Sequence, residues 1–175
     1  MMRTPNDPTK SACPPLCAGD LRRAVRSGTL SGASAAAVLA WRAKREGGKP
    51  LAPINAVTHC IWPRRALEQT GFSVRHTLLG LAIHQAAAVF WAAGFEALLR
   101  RWTRGAPRAR PVVTGATAAA TALTAYVVDY HVVPERLTPG FDAHVSGRSL
   151  AAVYVVLGAA LLAAALARRS GERGQ

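Results

Sequence analysis

Four apolar stretches of near-membrane length, separated by short connections rich in arginine, constrain this chain of 175 residues more than any other feature. The longest apolar stretch, RHTLLGLAIHQAAAVFWAAGFEALLRR at 75–101, exceeds the ~20 residues that an α-helix needs to cross ~30 Å of hydrocarbon. PVVTGATAAATALTAYVVDYHVV at 111–133 and SLAAVYVVLGAALLAAALA at 149–167 repeat the pattern, the second free of charge until Arg168 and Arg169 stop it. With LRRAVRSGTLSGASAAAVLAW before them, they predict an all-α integral membrane protein, a four-helix bundle with spans at about 22–42, 76–99, 111–133 and 149–167. The transmembrane domain is then 21–168, between a disordered cytoplasmic tail at 1–20 and a cytoplasmic tail at 169–175.

The first of these helices is the least apolar. Its uncharged part, 27–41, is shorter than a span, so Arg23, Arg26 and Arg42 must snorkel to lengthen it. Gly28, Gly32, Ala36 and Ala40 recur every four residues, a stripe of small side chains that lets another helix approach closely and marks Gly28 and Gly32 as helix-packing positions. In the third helix Pro111 stands where a missing N–H costs nothing, and Thr114, Thr117, Thr121 and Thr124 recur at helical spacing, which predicts one shared face. No repeat relates the two halves, which speaks against an inverted-repeat transporter.

Between the first two helices, residues 43–75 are polar except for LAPINAVTHCIWP at 51–63, too short to span and bounded by proline. The expectation there is an interfacial or re-entrant segment, with Trp62 at headgroup level. The net charge of +13 does not argue for nucleic acid, because the arginines flank apolar segments and do not line one face. CPPLC at Cys13 and Cys17 lacks redox spacing, and with Cys60 it makes no disulfide framework. The polar, proline-rich start has no apolar centre of the kind a cleavable signal peptide requires.

Arginine placement sets the expected orientation. With four spans, the amino-terminal tail, the RRWTRGAPRAR loop and the carboxy-terminal tail share one side, which holds 13 Lys and Arg against 9 on the other. The five arginines of that short loop keep it in the cytoplasm, so the topology is N-in/C-in. His59, His76, His84, His131 and His144 then all lie outside or in the outer half of the membrane, and Glu96 alone lies near the inner face.

A polar cluster is expected on the outer side, formed from His84, Asp129, Tyr126, His76, His131 and His59. Depth counting along antiparallel helices puts Tyr126 and Asp129 at the level of His84, and an ionisable group within a membrane needs a partner. That reasoning pairs His84 with Asp129. Glu96 is matched to Arg100 and Arg101 at helical spacing. His76 and His84 are too far apart along one helix to bind one metal unaided, and neither HExxH nor CxxC occurs.

INAVTHCIW, RHTLLGLAIHQAAAVFWA and VVDYHVVPERLTPGF resemble segments of small four-span bacterial inner-membrane proteins of unknown function. The resemblance covers most of 22–167. It implies the same topology and membrane, and it implies no activity, cofactor or site. The expected function is therefore non-enzymatic, structural or interacting, with the lipid bilayer, a membrane-protein partner or a second copy as partners, and no nucleic acid. No cofactor is expected; the alternative is a haem- or metal-binding redox protein that uses the outer histidines.

Overall fold

The computed structural model describes residues 18–103 and 110–173, and among them every regular element is helical. Four helices are long: α1 (Ala18–Arg45), α4 (Leu79–Thr103), α5 (Arg110–Val127) and α6 (Gly147–Arg173). Two are short, α2 (Ala52–Ala56) and α3 (Pro63–Glu68), and both begin with proline in the first turn, where its fixed φ suits a helix. A π-helical turn, Val74–Leu78, leads into α4, and a second, Val128–Val132, continues α5.

The long helices run antiparallel in sequence order. α1 packs against α4 and α6, and α5 packs against the same two from the other side. The connections 46–73 and 133–146 therefore fold over one end, the loop end, while the start of α1 and the close of α6 meet at the other, the terminal end. Two layers of core follow. Leu39, Ile54, Phe141, Val153 and Leu157 pack toward the loop end. Ala92, Phe95, Leu99, Ala118 and Leu161 pack toward the terminal end.

Three helical segments are long and apolar enough to cross a membrane: Val74–Thr103, Pro111–Val132 and Gly147–Gly171. Only 28%, 33% and 39% of their most apolar windows are buried. Large apolar side chains, including Phe90, Val112, Leu123 and Val155, face outward, as they would on helices that meet lipid. Helix α1 is not among the three, and its composition explains this. Asp20, Arg22, Arg23 and Arg26 crowd its first turns, and its buried stripe is of small residues: Ala24, Ser27, Ser31, Ala35, Ala43, with Leu39.

Helix α1 is formed from Ala18, so the last residues of the tail expected at 1–20 are helical; Cys13 and Cys17 lie outside the described residues. Likewise α6 runs on to Arg173, through most of the segment expected as a tail at 169–175. The apolar island at 51–63 is folded into the protein. Residues 52–59 are all buried, and α2 lies so close to α4 that a Cβ at Gly80 would collide with the Ile54 carbonyl oxygen.

Candidate functional site

Beneath the connections at the loop end lies a cavity of about 200 Å³. Helix α4 supplies Ile83, His84, Ala88 and Trp91 to its wall, and α6 supplies Val153, Tyr154 and Leu157. Asp129 enters from the π-helical end of α5, where the extra residue per turn changes which side chains point inward. The 133–146 connection closes the cavity with Thr138, Pro139 and Phe141. Gly140 makes that closure possible, with φ of 73° and a carbon that lies against the His59 ring.

His84 and Asp129 thus share a cavity, but they are not bonded to each other. His84 Nε2 donates to the Gly32 carbonyl at 2.9 Å, and Asp129 Oδ2 accepts from the Tyr154 hydroxyl at 2.7 Å. The expected His84–Asp129 pair is therefore corrected. Equal depth is necessary for contact but not sufficient, because azimuth decides which neighbour is met. His84 sits one turn from Ala88, which lies against Gly32, on the side of α4 that faces α1, and the missing side chain of Gly32 exposes a carbonyl there. Tyr126 also turns elsewhere. Its ring meets those of Tyr130, Tyr154 and His131 at 5.4–5.7 Å between centroids.

The other histidines belong to the connections. His76 Nδ1 donates to Thr58 Oγ1 at 2.7 Å, and that hydroxyl passes its own hydrogen to the Asn55 carbonyl. Asn55, fully buried, donates to the carbonyls of Gln69 and Gly71 and accepts from Thr77. His59 sets its two ring nitrogens against the carbonyls of Ala56 and Glu135, tying the first connection to the second. His131 is exposed and lies against Tyr126. The six polar residues expected as one cluster are thus divided among a cavity wall, an aromatic group and a loop lattice. Among the described residues, no three His, Cys, Asp or Glu side chains come together as a metal site.

At the terminal end, Glu96 is buried and pairs with Arg168 of α6 at 2.6 Å, with Ser27 Oγ of α1 at 2.9 Å. The expected partners Arg100 and Arg101 are corrected, because Glu96 points into the bundle axis while Arg100 pairs with Asp20 of α1. The threonine face is three residues long. Thr114, Thr117 and Thr121 are buried, with Thr117 and Thr121 bonded back to the preceding turn, and Thr124 is exposed. At the opposite end of α1, Glu46 accepts from the Ser146 N–H at 2.7 Å and from the hydroxyls of Ser146 and Ser149, so that it caps α6.

Tyr154, Phe141 and the Gly32 carbonyl are site groups that the sequence reading did not single out. A signal existed for Tyr154 alone, as the one polar side chain in the middle of an otherwise aliphatic span. No protein family, curated protein or solved structure matches this chain.

Proposed function

We propose that this chain is a four-span integral protein of the bacterial inner membrane, N-in/C-in, with a structural or interaction role. One observation carries the reading: polar side chains on the apolar helices spend their hydrogen bonds on neighbouring helices. Tyr154 meets Asp129, His84 meets Gly32, and Glu96 meets Arg168 and Ser27. In hydrocarbon such bonds hold helices together, because an unpaired polar group there is costly. Helix α1 joins as a fourth span through Gly28 and Gly32, whose bare backbones lie against α4. The bilayer is the first partner. A groove of small residues between α5 and α6, including Gly115, Ala119 and Gly158, is the face offered to a membrane-protein partner or a second copy.

Cysteine labelling tests the topology. Cys60 is a poor probe, since it is half-buried on the cavity wall with its thiol directed at the Val57 carbonyl. In a Cys13→Ser, Cys17→Ser, Cys60→Ser background, which removes all three native cysteines, Leu137→Cys reports the loop end and Trp102→Cys the terminal end, both positions being exposed. An impermeant maleimide applied to cells with a permeabilised outer membrane should modify the cysteine at 137 and spare that at 102. Modification of 102 alone overturns the orientation, and recovery of the protein in the soluble fraction overturns the membrane reading.

A further inference from the structure

The cavity beneath the 133–146 connection presents hydrogen-bond acceptors and aromatic faces, and its polar groups have largely used their own hydrogens. Tyr154 gives its hydroxyl hydrogen to Asp129, and Thr138 gives its hydrogen to the Glu135 carbonyl. The Cys60 thiol points at the Val57 carbonyl. His84 holds its Nε2 against the Gly32 carbonyl, which only accepts; the neutral ring therefore carries its hydrogen on Nε2 and leaves Nδ1 as a lone-pair acceptor. What remains is the imine nitrogen of His84, the second oxygen of Asp129 and the free lone pairs of Tyr154 and Thr138. Trp91 adds an indole N–H together with its ring.

Among the described residues, Asp129 also has no opposite charge paired with it. None of the ion pairs among the described residues includes it, and Tyr154 is its one hydrogen-bond partner. A carboxylate beside an apolar cavity gains most from a cation brought to it, because few competing waters screen the interaction there. Trp91, Phe141 and Tyr154 line the same space, and aromatic faces attract ammonium groups. Acceptors that outnumber a single indole N–H, a carboxylate without a cation and three aromatic rings all select one ligand chemistry.

We infer that this cavity is a binding site for a small organic cation, an ammonium carried on an apolar body about one aromatic ring in size. An ~150 Å³ apolar cavity takes up benzene, so the roughly 200 Å³ here admits one ring and a short amine arm. The ammonium lies between Asp129 and His84 Nδ1, and the ring lies among Trp91, Phe141 and Leu157. This site goes beyond the structural role proposed above and does not depend on the orientation of the chain in the membrane.

The test is calorimetric titration of the detergent-purified protein with 2-phenylethylammonium, its uncharged isostere 2-phenylethanol, and the anion phenylacetate, with empty micelles subtracted. The ammonium should bind at least about tenfold more tightly than the alcohol, and the anion should not bind. Asp129→Asn, which keeps the side-chain shape, should remove the preference for the ammonium and retain weak binding of the alcohol. Tyr154→Phe should keep the preference, since it retains the carboxylate, and this holds the test open if Asp129→Asn does not fold. Ala87, on α4, also lines the cavity, and Ala87→Phe, which narrows it, should abolish binding of both. Equal affinity for ammonium and alcohol overturns the inference, as does absence of binding by the ammonium or an unchanged preference in folded Asp129→Asn.

Discussion

Tyr154 of α6 donates its hydroxyl hydrogen to Asp129 Oδ2 at 2.7 Å, and this bond ties the π-helical end of α5 to the loop-end part of α6. Removing either group leaves the other short of a partner in an apolar wall. Tyr154→Phe and Asp129→Ala should each lower unfolding stability in detergent by about 1–2 kcal/mol. The double variant should cost about 1 kcal/mol less than the sum, since the second change removes a group already orphaned. Strictly additive losses in a denaturant series would show that the bond contributes nothing to stability.

The two glycines of α1 should not behave alike. A Cβ at Gly28 would stand 2.5 Å from the Cα of Val89, so the α4 backbone itself must retreat. A Cβ at Gly32 would meet chiefly the Gln85 side-chain oxygen, which can swing away, and then the Ala88 methyl at 2.8 Å. Gly28→Ala should therefore destabilise by about 1–3 kcal/mol, the usual cost of overpacking, and Gly32→Ala by less. Leu30→Ala, at an exposed position, serves as the neutral control. Thermal melts of the three variants decide the order, and the reverse ranking of the glycines would defeat the close-approach argument.

These glycines illustrate what a sequence can disclose. Spacing by four places Gly28 and Gly32 on one face, and a face of bare backbone has few uses in a helix other than contact. The lengths of the apolar runs mark which helices are able to cross hydrocarbon, and in the same way they mark α1 as the odd member. Azimuth and distant partners are another matter. Depth counting brought Asp129 level with His84 yet could not tell that His84 turns toward α1 or that Tyr154 stands nearer to Asp129. The 51–63 segment was legible as too short to span. Its burial, however, depends on Gly80 and on the bonding of Asn55 to the carbonyls of Gln69 and Gly71, fourteen and sixteen residues away, which no periodicity encodes.

Glu46 links the end of α1 to the start of α6 and titrates accordingly. Hydrogen bonds from the Ser149 hydroxyl first, then from the Ser146 N–H and hydroxyl, hold its carboxyl below the ordinary value of 4.5. A carboxyl lowered in the folded state contributes stability that is fully present above the unfolded value and is lost as pH falls through the folded one. Stability measured in detergent should therefore be level with respect to this group above pH 4.5 and should fall below it. Glu46→Gln should be less stable at neutral pH and should approach the native protein as the pH drops. An unchanged gap between the two proteins across that range would mean that Glu46 does not act through its charge.

Glu96 provides the corresponding test at the terminal end, where three helices meet on one carboxylate. Arg168 approaches it to 2.6 Å and Ser27 to 2.9 Å, and the carboxylate is buried while the guanidinium retains some contact with solvent. That asymmetry predicts unequal losses. Glu96→Gln leaves Arg168 free to turn outward, so the cost is limited to the charged hydrogen bonds, about 1–3 kcal/mol. Arg168→Gln instead leaves a buried carboxylate with a serine for company, and the loss of one partner from a buried pair is the more expensive event, about 3 kcal/mol or more. Denaturant midpoints for the two single variants and the double should show Arg168→Gln as the most damaging single change, with Glu96→Gln rescuing part of it. If Glu96→Gln proves the worse of the two, the carboxylate is acting on more than Arg168 and Ser27, and the Asp20–Arg100 pair on the same helices becomes the next place to look.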